Sequence, residues 1–227
     1  MIILLPLIFR ILISSNDSIK SRLIQSGLLY NRRYGGNMKK LAVVFQGIGY
    51  NSDKPLLYYS KKLAAKYGYD IVEVKFSNID KSVLREKKNI PEEFGKAIKQ
   101  TEDTLSGIVL SDYEDILFVS KSIGTVAAAA YAAKKGMEVK QVYFTPLEEA
   151  FSYAKDGNGL VFFGNSDPFI EPERIEELCK KLHLMHYLYE GANHSLETGD
   201  VAKDIRNMSE VMERTEQWIT NVSFTKK

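Results

Sequence analysis

The 227-residue chain has little of what staples a fold or holds a metal. Its one cysteine, Cys179, allows no disulfide within the chain and no thiolate-based metal site. A lone thiol of this kind fits the reducing cytoplasm. Any imidazole chemistry must use His183, His186 or His194, because there are no other histidines. Neither charge is in surplus: 31 Lys+Arg stand against 29 Asp+Glu, a formal net charge of +2. That balance leaves no basic footprint for a nucleic-acid partner. A long hydrophobic run is missing as well. The most apolar stretch, MIILLPLIFRILI at the N-terminus, is too short for a bilayer span and carries Arg10. No positive segment precedes it and no small-residue cleavage site follows, so no stable membrane span is expected.

What is present suits a globular domain. Hydrophobic residues make up 44% and charged residues 26% of a chain long enough to bury a sizeable core. Tyr34-Gly35-Gly36-Asn37-Met38 can be encoded with GGAGG a short distance before an ATG, the form of a bacterial ribosome-binding sequence. Residues 1–37 are therefore expected to be a translated leader outside the fold. Met38 is then the start of a single domain over 38–227.

From Leu41 onward, apolar strand-like runs alternate with helical patterns. Leu41–Phe45, Asp70–Phe76, Ile116–Val119, Val139–Phe144, Leu160–Phe163 and Leu184–Tyr189 read as strands. Helical spacing is expected over Pro55–Tyr67, Ile90–Ile108, Thr125–Lys134, Pro172–Leu182 and Val201–Val222. In the last of these, Ile205, Met208, Val211, Met212, Thr215, Trp218 and Ile219 form the stripe expected to be buried. No internal repeat or low-complexity linker interrupts the alternation. The pattern predicts an α/β fold with a mostly parallel sheet covered on both sides, and ligands then bind at the carboxyl ends of the strands.

Four strand ends carry candidate chemistry. Ile116–Val119 runs into Ser120-Lys121-Ser122-Ile123-Gly124 and then the small run Ala127–Ala130. Small residues two before and two after Ser122 suit a nucleophile on a tight strand-to-helix turn. The same stretch also reads as a serine-rich cap of an alanine-rich helix. Lys121 reads as a solvated turn residue. Leu160–Phe163 leads to Gly164-Asn165-Ser166-Asp167-Pro168, and the last strand leads to Gly191-Ala192-Asn193-His194. Asp167 could orient a histidine, or it could simply build an Asp-Pro turn. His194 lies in a small-residue loop that can reach across the sheet, whereas His186 falls within a strand and His183 at a helix–strand junction. The first strand leads to Gln46-Gly47-Ile48-Gly49-Tyr50-Asn51. A dinucleotide fingerprint is excluded there, because Ser52 takes the third glycine position and Lys75-Phe76 provides no acid for a ribose. Lys121-Ser122 is no phosphate loop either, since Ser120 stands where a glycine belongs.

Ser122, Asp167 and His194 follow three separate strands in the order nucleophile, acid, base. With a glycine turn after an earlier strand, the sequence resembles the α/β-hydrolase superfamily over nearly all of residues 39–222. The resemblance rests on Gln46-Gly47-Ile48, Ser120-Lys121-Ser122-Ile123-Gly124, Gly164-Asn165-Ser166-Asp167-Pro168 and Gly191-Ala192-Asn193-His194. Two positions depart from the family pattern: Gln46 replaces a histidine and Ser120 a glycine.

The resemblance implies a three-layer α/β/α sandwich with about six strands in minimal form. No lid is expected, because the segment from Thr145 to Leu160 is short. It further implies acyl transfer by Ser122, with His194 as base and Asp167 as its partner. The backbone N–H groups of Ile123 and Ile48 would form an oxyanion hole. Gln46, Gly47, Tyr50, Pro146, Leu147 and Phe169 stand where a substrate would lie, although such residues also serve as packing. A small-molecule substrate with an ester or thioester bond follows, without cofactor or metal. The alternative is a noncatalytic relative that binds a ligand or partner in the same cleft. The sequence sets no oligomeric state.

Overall fold

The computed structural model describes residues 39–80, 82, 86 and 90–220. The expected leader over 1–37, and Met38 as the start, lie outside the described residues. Six strands, β1 Lys40–Phe45, β2 Tyr69–Val74, β3 Asp115–Lys121, β4 Lys140–Phe144, β5 Gly159–Gly164 and β6 Met185–Tyr189, form one sheet. The order is β2-β1-β3-β4-β5-β6 and every pairing is parallel. The chain leaves β1 for the edge at β2, then crosses back to lay β3 on the other side of β1. This reversal opens a crevice beyond the carboxyl ends of β1 and β3, which in such sheets is a ligand site.

Five helices cover the two faces: α1 Pro55–Lys66, α2 Ile90–Leu105, α3 Ile123–Lys134, α4 Pro172–Lys181 and α5 Val201–Thr220. Strand residues alternate between them because successive side chains point to opposite sides. Ala42 and Val44 of β1 and Leu117 and Val119 of β3 pack against Leu56, Leu57 and Ala64 of α1 and Val211 and Trp218 of α5. Leu41, Val43 and Phe45 of β1 face Phe94 and Ala97 of α2 and Val126 and Ala127 of α3. At the far edge, Val161 and Phe163 of β5 pack on Ile175 and Cys179 of α4. Burial pushes the Cys179 thiol up to about 12, leaving it protonated and inert at neutral pH. The strands buried on both faces are the continuous apolar runs seen in the sequence.

Several boundaries move. β3 continues two residues past Val119, because Ser120 and Lys121 keep their register with Tyr143 and Phe144 of β4. α3 starts at Ile123 rather than Thr125, so Ser122 alone makes the turn between strand and helix. α3 is buried from Ile123 to Ala132, and its four consecutive alanines let it lie close against the sheet and α2. On α5 only Val211, Thr215, Trp218 and Ile219 are fully buried. Ile205 is 66% exposed, contrary to the expected stripe. Ile205, Met208 and Met212 of that helix line a groove of about 750 Å³ with Pro55, Tyr59 and Leu196. Residues 145–158, between β4 and β5, hold only a 3-10 turn at Glu148–Ser152. Among the described residues no helix is long and apolar enough to cross a membrane.

Candidate active site

Ser122 sits at the reversal between β3 and α3 with φ 55° and ψ −125°. This backbone conformation is costly for a residue with a side chain, and it persists only where the surroundings enforce it. Three bonds do so. The Ser122 N–H donates to Phe144 O at 3.1 Å. Its carbonyl accepts the Thr125 N–H at 2.8 Å and the Thr125 hydroxyl at 2.6 Å. The flanking small residues have separate reasons. Ser120 is fully buried and donates its hydroxyl to Val142 O at 3.0 Å, so the serine in the glycine position is satisfied by the neighbouring strand. Gly124 tolerates no side chain: a Cβ there would lie 2.5 Å from Gln46 O and 2.8 Å from Phe45 O.

His194 reaches Ser122 from the loop after β6. The Ser122 hydroxyl and His194 Nε2 are 2.8 Å apart, and His194 Nδ1 is 2.6 Å from Asp167 Oδ2. A carboxylate only accepts, so Nδ1 carries the proton and Nε2 offers its lone pair to the Ser122 O–H. The other Asp167 oxygen accepts the Phe169 N–H at 3.0 Å, which fixes the carboxylate. The Phe169 ring stands edge-on to the imidazole with centroids 4.8 Å apart. Burial pulls the His194 pKa below the ordinary 6.5; the Lys121 ammonium adds to this, and Asp167 opposes both. The imidazole is thus neutral at neutral pH, the state a general base requires.

The acid loop and the histidine loop are held together by backbone contacts. Ser166 N–H donates to Ala192 O at 3.0 Å, and Gly191 N–H donates to Asn165 Oδ1 at 2.7 Å. Gly164 makes this approach possible, since a Cβ there would fall 2.0 Å from Ala192 O. Thr145, buried at the end of β4 with φ 42°, donates its hydroxyl to His194 O at 3.1 Å. Neither Thr145 nor Thr125 stands out in the sequence, because a threonine after a strand or in a first helical turn carries no distinguishing pattern.

The turn after β1 closes through Gly47 N–H to Tyr50 O at 3.0 Å and Tyr50 N–H to Gly47 O at 3.2 Å. Ile48, at the corner of that turn, keeps its N–H outside the pair. Ile123 is the first residue of α3, so its N–H has no intrahelical acceptor. The Gln46 amide turns to Ser52, donating at 3.2 Å, and Ser52 in turn donates to Glu73 at 2.7 Å. Tyr50 is buried, and its hydroxyl accepts the Leu56 N–H at the start of α1. Gln46, Gly47 and Tyr50 line a cavity of about 280 Å³ with Phe76 and Asn78. Leu147 and Phe169 line a smaller one of about 90 Å³, and Pro146 is buried beside Leu147.

Lys121 corrects the sequence reading. It is 1% exposed rather than solvated, because β3 continues through it and places its side chain on the face shared by Leu117 and Val119. That alternation was the available signal. His183 lies on the surface against Asp156, and His186 turns its Nδ1 to Leu184 O within β6. Among the described residues no group of three or more His, Cys, Asp and Glu side chains is placed to hold a metal ion.

No protein-family model and no curated protein matches the sequence. Solved structures do match. XC6422 from Xanthomonas campestris, an α/β serine hydrolase without lid, is similar with a TM-score of 0.60 at 11% identity, covering 82% of this chain and 86% of that one. ATU1826 from Agrobacterium tumefaciens, a putative α/β hydrolase, gives 0.57 at 16% identity, with 80% and 86% covered. Est1E from Butyrivibrio proteoclasticus gives 0.55 at 11% identity, with 82% and 91% covered. Together with the all-parallel six-stranded sheet, these likenesses show that the chain has the α/β-hydrolase fold.

Proposed function

We propose that the protein is a serine hydrolase that cleaves an ester or thioester of a small or exposed acyl group. The observation that carries this reading is the pair of contacts from Ser122 to His194, 2.8 Å, and from His194 to Asp167, 2.6 Å. In this mechanism Ser122 Oγ attacks the acyl carbon while its proton passes to His194 Nε2. Asp167 holds the imidazole tautomer and stabilises the imidazolium without taking the proton. The N–H groups of Ile123 and Ile48 receive the oxyanion, where each such donor typically contributes roughly 3 kcal/mol to the transition state. The imidazolium returns its proton to the departing alcohol or thiol, leaving an acyl-serine. Water then gives a proton to His194 and its oxygen to the acyl carbon, and Ser122 is regenerated as the acid leaves. The short β4–β5 connection supports an open site and hence a small or exposed acyl group.

A fluorophosphonate probe tests the reading against noncatalytic ligand binding in the same cleft. Labelling at Ser122 is expected, because only an activated serine displaces fluoride. Ser122→Ala should abolish labelling and lower turnover of short p-nitrophenyl esters by more than about a thousand-fold while the protein stays folded. Absence of labelling in the wild type would leave the cleft as a binding site alone.

A further inference from the structure

The end of β4 contributes no side chain to the proposed mechanism, yet it is bonded to two residues that do. The Phe144 carbonyl accepts the Ser122 N–H at 3.1 Å. The next residue, Thr145, donates its hydroxyl to His194 O at 3.1 Å. Leu147 N–H donates to the Thr125 hydroxyl at 3.4 Å, and that hydroxyl donates to Ser122 O at 2.6 Å. The short run from Phe144 to Leu147 therefore ties the Ser122 turn and the histidine loop to one strand end. The Thr145 N–H is itself held by Phe162 O of β5 at 2.7 Å, so its hydroxyl is carried on an anchored backbone.

Thr145 is costly where it stands. It is fully buried with φ 42°, and Pro146 follows it. A β-branched residue is an outlier at such a φ, and a residue before proline is normally extended. Glycine would adopt this backbone without the strain but carries no donor. Strain of this kind persists only where the surroundings enforce it, and it gathers at functional sites. The acid loop grips the histidine loop at Gly191 and Ala192, ahead of His194. The Thr145 bond reaches the main chain of His194 itself.

We propose that Thr145 is a positioning residue for His194: together with Phe144 O on the Ser122 N–H, its hydroxyl sets the spacing at which His194 Nε2 meets the Ser122 hydroxyl. Both bonds come from adjacent residues of one strand end, so the spacing is set over a single residue step. Without the Thr145 donor, the histidine loop is free to drift while the Ser122 turn stays bonded to Phe144. The consequence for turnover rests on the hydrolase reading, whereas the placement of His194 does not.

The test is Thr145→Val, which keeps the shape and β-branching of threonine and removes the donor; Thr145→Ala serves if the valine variant does not fold. Thr145→Ser restores the donor. The Nδ1 proton that His194 shares with Asp167 is followed by NMR in each protein, and kcat and KM are measured for a p-nitrophenyl ester. In Thr145→Val, kcat should fall by about tenfold or more with KM changed by less than about threefold, because small misplacements near reacting atoms cost up to about 100-fold in rate. The Nδ1 proton signal should shift or broaden, and Thr145→Ser should recover both readouts. Either readout unmoved in the folded valine variant overturns the inference, as does a serine variant as impaired as the valine one. Should the wild type prove inert to fluorophosphonate and ester alike, the hydrolase reading fails and the Nδ1 signal alone decides this one.

Discussion

At the scale of single residues, the site includes backbone positions with no room for a larger side chain. At position 124 the atoms a Cβ would meet are main-chain oxygens of Phe45 and Gln46, which cannot swing aside as a side chain could. Gly124→Ala is expected to destabilise the protein by about 1–3 kcal/mol and to lower kcat, because the strand end leading into the Ile48 turn must shift. Urea unfolding and steady-state kinetics read both effects. Ser120→Ala keeps the small volume and loses only the bond to Val142 O, so a loss of about 1 kcal/mol with kcat nearly unchanged is expected. A large fall in kcat there would mean that Ser120 acts in the chemistry. The depressed His194 pKa also sets a direction: the imidazole remains neutral below pH 6.5, so under the proposed hydrolase mechanism the acid limb of kcat/KM should have its midpoint under that value. A midpoint above 6.5 would contradict the burial seen at His194. Ser122, Asp167 and His194 were legible as residues because each follows an apolar run. Thr145 and Thr125 were not, since their value lies in partners 49 and 3 positions away.

At the scale of elements, the contacts among Ser122, His194 and Asp167 depend on how two loops dock. The loop after β5 and the loop after β6 meet over Gly164, where a Cβ would fall on the Ala192 carbonyl. Gly164→Ala should push the histidine loop outward and separate His194 from Ser122. A misplacement of this size near the reacting atoms typically costs about 100-fold in rate, so kcat should fall by that order with a smaller change in KM. Equal kcat in the variant would show that the loops can dock another way. The helix α5 divides into two halves with different duties. Trp218→Ala removes a buried indole from the core and should cost about 3–5 kcal/mol, whereas Ile205→Lys on the exposed turn should change stability by less than about 0.5 kcal/mol. Thermal melts of the two variants check the contrast. Helical periodicity showed which side of α5 is apolar. It could not show how far along the helix its neighbours cover that side, and Ile205 is left 66% exposed at the groove.

At the scale of the whole molecule, the buried Lys121 should make stability rise with pH above neutrality. The unfolded chain holds the lysine proton up to about 10.5, while the folded protein releases it near 7. Between those values the unfolded state binds more protons, so stability should rise with pH across that window. The rise should be smaller in Lys121→Met, and the variant should be the more stable of the two at neutral pH, since it buries no amine. Urea unfolding at several pH values measures the difference; parallel curves for the two proteins would show that Lys121 is hydrated in the fold. The order of strands and helices, and with it the placing of Ser122, Asp167 and His194 at strand ends, is legible in the sequence. Local pattern suffices for that, because apolar alternation and turn residues act over a few positions. Strand alternation from Leu117 and Val119 also pointed Lys121 inward, but two outcomes needed the folded chain: Gln46 turns to Ser52, and two loops close over Gly164. The loop closure depends on main-chain atoms brought together from distant parts of the chain, and the Gln46 bond on two side chains aligned by the turn after β1. No local pattern carries their distances.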